Sequence, residues 1–272
     1  MTFLADGYRN VDAAVDLAKL KECLSLMEDL PDFQAYKRTS YDALTLDPES
    51  RVADVACGLG FDLPRLKQLV PKGTVTGFDL SETFLSHARG HAADALGEKA
   101  TSVTFRQCDV QNIDCDAGLF DAARIDRSLQ HIHDPDTAIT EMTRIVRSGG
   151  IVCAAEPDWS TYVINSDLPE VSGKITRTFA RTFRNPLIGR TLGELLGNHL
   201  TLTHQSTHPL VLQNFPDAET IFDISETVSR CVTTGDISED EGTAFLNDLE
   251  QRNASGQFFA LLTVHVAAGR KR

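Results

Sequence analysis

The stretch from Arg51 to Asp62, RVADVACGLGFD, constrains this chain more than any other. Val52, Ala53 and Val55 form a short apolar run of the kind that makes a buried strand. Gly58 and Gly60 follow where the backbone must bend tightly and approach a ligand that a Cβ would meet first. Asp62 and Pro64 then signal a helix start, Asp62 as an expected N-cap and Pro64 tolerated in the first turn. Thr74 to Phe78 reads as a second strand, and it delivers Asp79 at its carboxyl end, about twenty residues past the glycines, where an acid can bind a ribose diol.

Charge narrows the ligand of that turn. The dinucleotide fingerprint G-x-G-x-x-G fails, because Leu63 stands three residues after Gly60 and Asp62 would place an anion where a pyrophosphate should sit. An NAD-dependent oxidoreductase is disfavoured on that ground. No phosphate-binding G-x-x-x-x-G-K-S/T run occurs. Asp54, Asp62, Asp79, Asp109 and Asp126 all fall at expected strand ends or just beyond, which suits a ligand carrying positive charge and hydroxyls. S-adenosylmethionine, with its sulfonium and ammonium, is such a ligand.

At these residues the sequence resembles the class I S-adenosylmethionine-dependent methyltransferases, and is similar to their small-molecule, quinone-biosynthesis-like members. The family's first motif, Asp/Glu-x-Gly-x-Gly-x-Gly, stands here as Asp54-Val55-Ala56-Cys57-Gly58-Leu59-Gly60. Ala56 replaces the first glycine, a departure that matters if the backbone there needs positive φ. Gly77 to Ser81, Gln107 to Val110 and Met142 to Val152 look like the remaining cofactor motifs, in family order across residues 45 to 160. The resemblance implies an α/β fold, a doubly wound seven-stranded Rossmann-like sheet. It also implies cofactor contacts at Ala56, Gly58 and Gly60, the ribose on Asp79, and Leu80 on the adenine face. Asp109 would take the adenine amine and the Val110 amide a ring nitrogen. Asp126 and Arg127 open the segment DRSLQHIHDP, which in the family lies between cofactor and acceptor.

His131 is the leading candidate for a general base, because methyl transfer to a hydroxyl is helped when the proton leaves as the oxygen attacks, and imidazole titrates near neutral pH. His133 is the reserve; two histidines at i and i+2 do not share a helix face. Trp159, the sole tryptophan, is read either as an acceptor-pocket wall or as packing beneath a loop. In related methyltransferases amino-terminal helices close over the cofactor, so Tyr36, Lys37 or Arg38 could reach its carboxylate, the other reading being a solvated helix face. No Cys/His spacing matches a metal site.

The formal net charge of −13 argues against a nucleic-acid surface. MTFLADGYRN has no charged leader and apolar core, and no run of 18 apolar residues appears, so a cytoplasmic chain with no membrane span is expected. The six cysteines read as reduced thiols. Amphipathic helices are expected over 11 to 30 and 32 to 44. Three parts follow: amino-terminal helices covering the cofactor (1–45), a cofactor-binding core (46–160), and the rest of the sheet with a late helical cap that shapes the acceptor site (161–272). The expected activity is methyl transfer to a small-molecule acceptor, with oxygen favoured over nitrogen or carbon. The alternative in another class is a cofactor-binding scaffold or cyclase that transfers no methyl. The residues do not specify an oligomeric state.

Overall fold

The computed structural model of the chain describes residues 17–272. The expected helix over 11 to 30 is seen as α1 (Leu17–Asp29), its first six residues and the MTFLADGYRN segment lying outside the described part. Pro31 starts α2 (Pro31–Ala43). Then follow β1 (Arg51–Val55), α3 (Asp62–Leu69), β2 (Thr74–Asp79), α4 (Glu82–Leu96), β3 (Val103–Gln107), β4 (Phe120–Asp126) and α5 (Pro135–Ile145). The chain continues through β5 (Val146–Ile164), α6 (Pro169–Ala180), α7 (Ile188–Gly197), β6 (Thr201–Leu212), α8 (Phe215–Phe222), α9 (Ile224–Thr234), α10 (Glu239–Ala254) and β7 (Ala260–Arg270).

The strands form one sheet in the order β3-β2-β1-β4-β5-β7-β6. The first five are parallel, and β7 runs antiparallel to both β5 and β6. Strand order reverses between β1 and β4, which pair directly, and ligands of open α/β sheets bind beyond the carboxyl ends of strands at such a point. β1 and β4 are central and mostly apolar, with Val52, Ala53, Ala123 and Ile125 fully buried, and each also carries a buried charged residue, Asp54 and Arg124.

Local chemistry sets most helix starts. Ser81 accepts from the Phe84 amide to open α4, Asp134 caps α5 ahead of Pro135, and Ser238 with Glu241 forms a reciprocal capping box on α10. Asp62 does not cap α3: Phe61 occupies that position, and the Asp62 carboxylate turns inward to buried cations. α5 ends at Ile145, and Gly149 and Gly150 lie within β5. Between Phe120↔Val146 and Ala122↔Ile151 the register slips, Gly149 has φ +76°, and a Cβ on Gly150 would lie 2.4 Å from the Asp121 carbonyl. The pair makes a bulge that only glycine fits. The late helical cap comprises α8, α9 and α10, and Asp223, at φ +50°, breaks α8 from α9.

Candidate cofactor and acceptor site

A cavity of about 360 Å³ opens at the carboxyl ends of β1, β2 and β4. β1 and its turn supply Asp54 to Leu59, β2 supplies Asp79 and Leu80, and the turn after β3 supplies Asp109 and Val110. β4 and its loop bring Arg124, Asp126, Arg127, His131 and His133, while α1 and α2 add Leu24, Met27 and Lys37 from the opposite side. Gly60 is not part of the lining. Its φ is +75°, and a Cβ there would sit 2.7 Å from that of Ala88, so its smallness lets α4 approach the turn. Arg38 is exposed and also outside the lining, whereas Lys37 is buried within it.

Ala56 and Gly58 both have φ +55°. For alanine this left-handed conformation costs about 1–2 kcal/mol, so Ala56 is held in a geometry that glycine adopts readily. Asp79 fixes the turn from below: its carboxylate accepts from the Gly58 amide at 2.8 Å and the Ser81 amide at 2.9 Å. A carboxylate can accept about four hydrogen bonds, so the same group can also take a ribose diol. Leu80 stands 60% exposed at the cavity edge, an apolar side chain open to a ligand there. Asp109 accepts from the Gln111 amide at 2.8 Å, closing a short turn that presents Val110 to the same edge.

Under the turn lies a buried ion cluster that no sequence motif announced. Arg124, in the middle of β4, is fully buried; its guanidinium donates to Ser40 Oγ at 2.8 Å, Asp62 Oδ2 at 3.0 Å, Asp126 Oδ2 at 3.0 Å and Asp54 Oδ1 at 3.3 Å. Lys37 Nζ pairs with Asp62 at 2.9 Å and with Glu28, Tyr36 donates to Asp126, and Tyr41 donates to Asp62. A buried arginine is tolerable only when its charge is met in this way. Burial pushes the Asp54 carboxyl up to about 7, the Arg124 guanidinium opposing and the Asp62 and Asp126 carboxylates adding to the rise. Burial also raises Asp62, but Arg124 and Lys37 outweigh it and hold that group well below the usual carboxylate range.

The segment after β4 is tied down from two sides. Glu156 on β5 accepts the backbone N–H groups of Ser128 at 2.7 Å, Leu129 at 2.6 Å and Gln130 at 3.3 Å. Asn185 holds the carbonyls, its Nδ2 donating to Leu129 O and Ile132 O at 2.8 Å and its backbone N–H to Gln130 O at 3.0 Å. His131 is thereby set half-buried at the junction of the large cavity with a smaller chamber, and His133 is exposed. Trp159 lies in the wall of that chamber rather than in the cavity, stacked on Phe183 with centroids 4.1 Å apart, its Nε1 donating to Gln130 Oε1 at 2.6 Å. It is both packing and wall.

The residues present fit S-adenosylmethionine. Among the described residues the cluster sets four carboxyl groups (Glu28, Asp54, Asp62, Asp126) against the cations Lys37, Arg124 and Arg127, a balance that turns net negative as Asp54 ionises. Asp79, Leu80, Asp109 and Val110 line the same cavity and offer carboxylate acceptors beside apolar side chains.

Residues 46–198 match the family model of a methyltransferase domain. A protein of transposon TN4556 from Streptomyces fradiae, described as uncharacterized, is 31% identical over 236 residues, covering 86% of this chain and 66% of that one. The ubiquinone/menaquinone biosynthesis C-methyltransferase UbiE of Bdellovibrio bacteriovorus is 34% identical over 106 residues, 39% of this chain and 43% of its own length. The chain thus spans less than two thirds of either relative. A putative methyltransferase from Bacillus halodurans superposes with a TM-score of 0.62 at 15% identity, covering 86% of this chain and 97% of the other. At that identity the likeness is one of fold.

Proposed function

Because this chain belongs to the methyltransferase-domain family, we propose that it transfers a methyl group from S-adenosylmethionine to a small-molecule acceptor, oxygen being favoured over nitrogen or carbon. The observation that carries this reading is the meeting of an acid-lined cavity and an aromatic chamber at His131. In this reading the amino-terminal helices through residue 45 cover the cofactor, residues 46–160 bind it, and residues 161–272 complete the sheet and shape the acceptor site.

When bound, the cofactor supplies an electrophilic methyl group on its sulfonium. The chain does the rest. Asp79 anchors the ribose end, Asp109 and Val110 orient the base, and the Arg124-centred carboxylates favour the cationic end. Trp159 and Phe183 keep water from the far side of the junction. Held by Glu156 and Asn185, the loop aims His131 at the acceptor, where an imidazole nitrogen takes the hydroxyl proton. Orientation supplies much of the acceleration. The Bdellovibrio relative is named for carbon methylation; oxygen is favoured here because an imidazole at the junction can accept a hydroxyl proton. The net charge of −13 gives no basis for a nucleic-acid acceptor. Six cysteines outside any disulfide suit a reducing, cytoplasmic compartment, and among the described residues no helix is long and apolar enough to cross a membrane.

Turnover should release S-adenosylhomocysteine in step with acceptor methylation, the product being assigned by the carbon shift of the new methyl group. His131→Ala should lower kcat by about 10²–10⁴, the range for a lost general base, and leave cofactor affinity unchanged. Unaltered turnover would remove His131 from the chemistry. Tight cofactor binding with no release for any acceptor would point instead to a scaffold or cyclase.

A further inference from the structure

We propose that the chamber walled by Trp159 selects the acceptor, taking a small, uncharged, apolar group such as a short branched hydrocarbon end, with the nucleophilic atom left at His131. This rests on the methyl-transfer reading and adds the substrate class to it.

The chamber has a volume of about 60 Å³ and joins the large cavity along Met27, Arg127, Gln130 and His131. Its polar side chains lie on that line. Farther in, the described lining side chains are apolar apart from the Cys23 thiol, a weak donor: Trp159, Phe179 and Phe222 form the walls, and Leu210, Leu262 and Val264 the floor from β6 and β7.

The polar groups at the entrance are already engaged. Gln130 accepts from Trp159 Nε1 and donates through Nε2 to the Arg127 carbonyl at 2.8 Å. Arg127 stays at the mouth, its Nε 3.7 Å from Asp126 Oδ1 and its guanidinium over the Phe33 ring at 5.3 Å and against Met27 Sδ, so its charge is partly met there. A carboxylate, phosphate or ammonium pushed past Arg127 among the apolar side chains would be stripped of water without a counter-charge, at a cost of several kcal/mol. An apolar group gains about 25 cal/mol for each Å² buried there. The Trp159–Phe183 stack, 11° from parallel, favours a flat or compact shape. Met27, unbranched and adaptable, is the wall residue best able to yield to a larger one.

The test uses the intact chain and its single tryptophan, which sits in the chamber wall. Trp159 emission is followed during titration with 2-methylpropan-1-ol and with 3-hydroxy-2-methylpropanoate, with and without S-adenosylhomocysteine. The two probes differ by a methyl replaced with a carboxylate, and neither absorbs where tryptophan is excited. The alcohol should give a saturable change and the acid should bind at least about tenfold more weakly. Val264→Phe, which fills the floor, should weaken the alcohol by about tenfold while S-adenosylhomocysteine binds as before. The wild-type comparison decides the question even if that variant folds poorly. Equal or tighter binding of the acid, or no response to the alcohol in a chain that binds S-adenosylhomocysteine, overturns the chamber assignment alone. Alcohol selectivity in a chain that does not bind S-adenosylhomocysteine upholds the chamber and overturns the methyl-transfer reading.

Discussion

Ala56 shows how far a residue can be read from sequence. Its place in the glycine motif marked it as the position where positive φ would matter, and it does sit at φ +55°. Ala56→Gly should relieve about 1–2 kcal/mol of backbone strain and lose about 0.5–1 kcal/mol to the entropy of the unfolded chain, leaving the variant equally stable or up to about 1.5 kcal/mol more so. Urea denaturation measures the difference, and a destabilised variant would show that the methyl group has a packing role. Arg124 was missed, although a signal existed: an arginine inside the apolar strand FDAARID has to find buried carboxylates, and the surplus acids at strand ends were those partners. Asp62 was misassigned for the complementary reason. A helix-start aspartate usually caps, and only the fold brings Arg124 and Lys37 within 3.0 Å of it.

At the scale of elements, the strand-turn-helix unit and the parallel pairing of β1 with β2 and β4 were legible because buried parallel strands read as short apolar runs ended by acids and glycines. The length of β5 was not. It runs to Ile164 because β7 pairs with it that far, and no local pattern specifies such a long-range partner. The loop carrying His131 depends on the same strand, through Glu156. Burial pushes that carboxyl up to about 8, against the pull of three backbone N–H groups. Glu156→Gln keeps the volume but turns an amide N–H₂ toward amides that need an acceptor, costing about 1–3 kcal/mol of loop order. Its expected signature is a lower kcat with an unchanged affinity for S-adenosylhomocysteine, separable by steady-state kinetics and direct titration. Equal kcat in the two proteins would free the loop geometry from Glu156.

The molecule as a whole keeps its surplus negative charge partly inside, beneath the cofactor turn, and that makes binding sensitive to pH. Asp54 and Glu156 have folded-state values raised above those of the unfolded chain, so the stability they lend is present in acid and lost as pH rises through about 7 and 8. The cofactor-free protein should accordingly melt at a lower temperature at pH 9 than at pH 6. A cation placed beside Asp54 favours its carboxylate. Cofactor binding should therefore release a proton and tighten from pH 6 toward 8, levelling above the Asp54 value; affinity that does not vary over this interval would detach Asp54 from the cofactor. The most direct measurement is calorimetric titration of the chain with S-adenosylhomocysteine and, separately, NAD, repeated on Asp79→Ala. Micromolar binding of S-adenosylhomocysteine that the substitution abolishes is the expected result. Preference for NAD, or no binding of S-adenosylhomocysteine by the wild-type chain, would contradict the methyltransferase assignment.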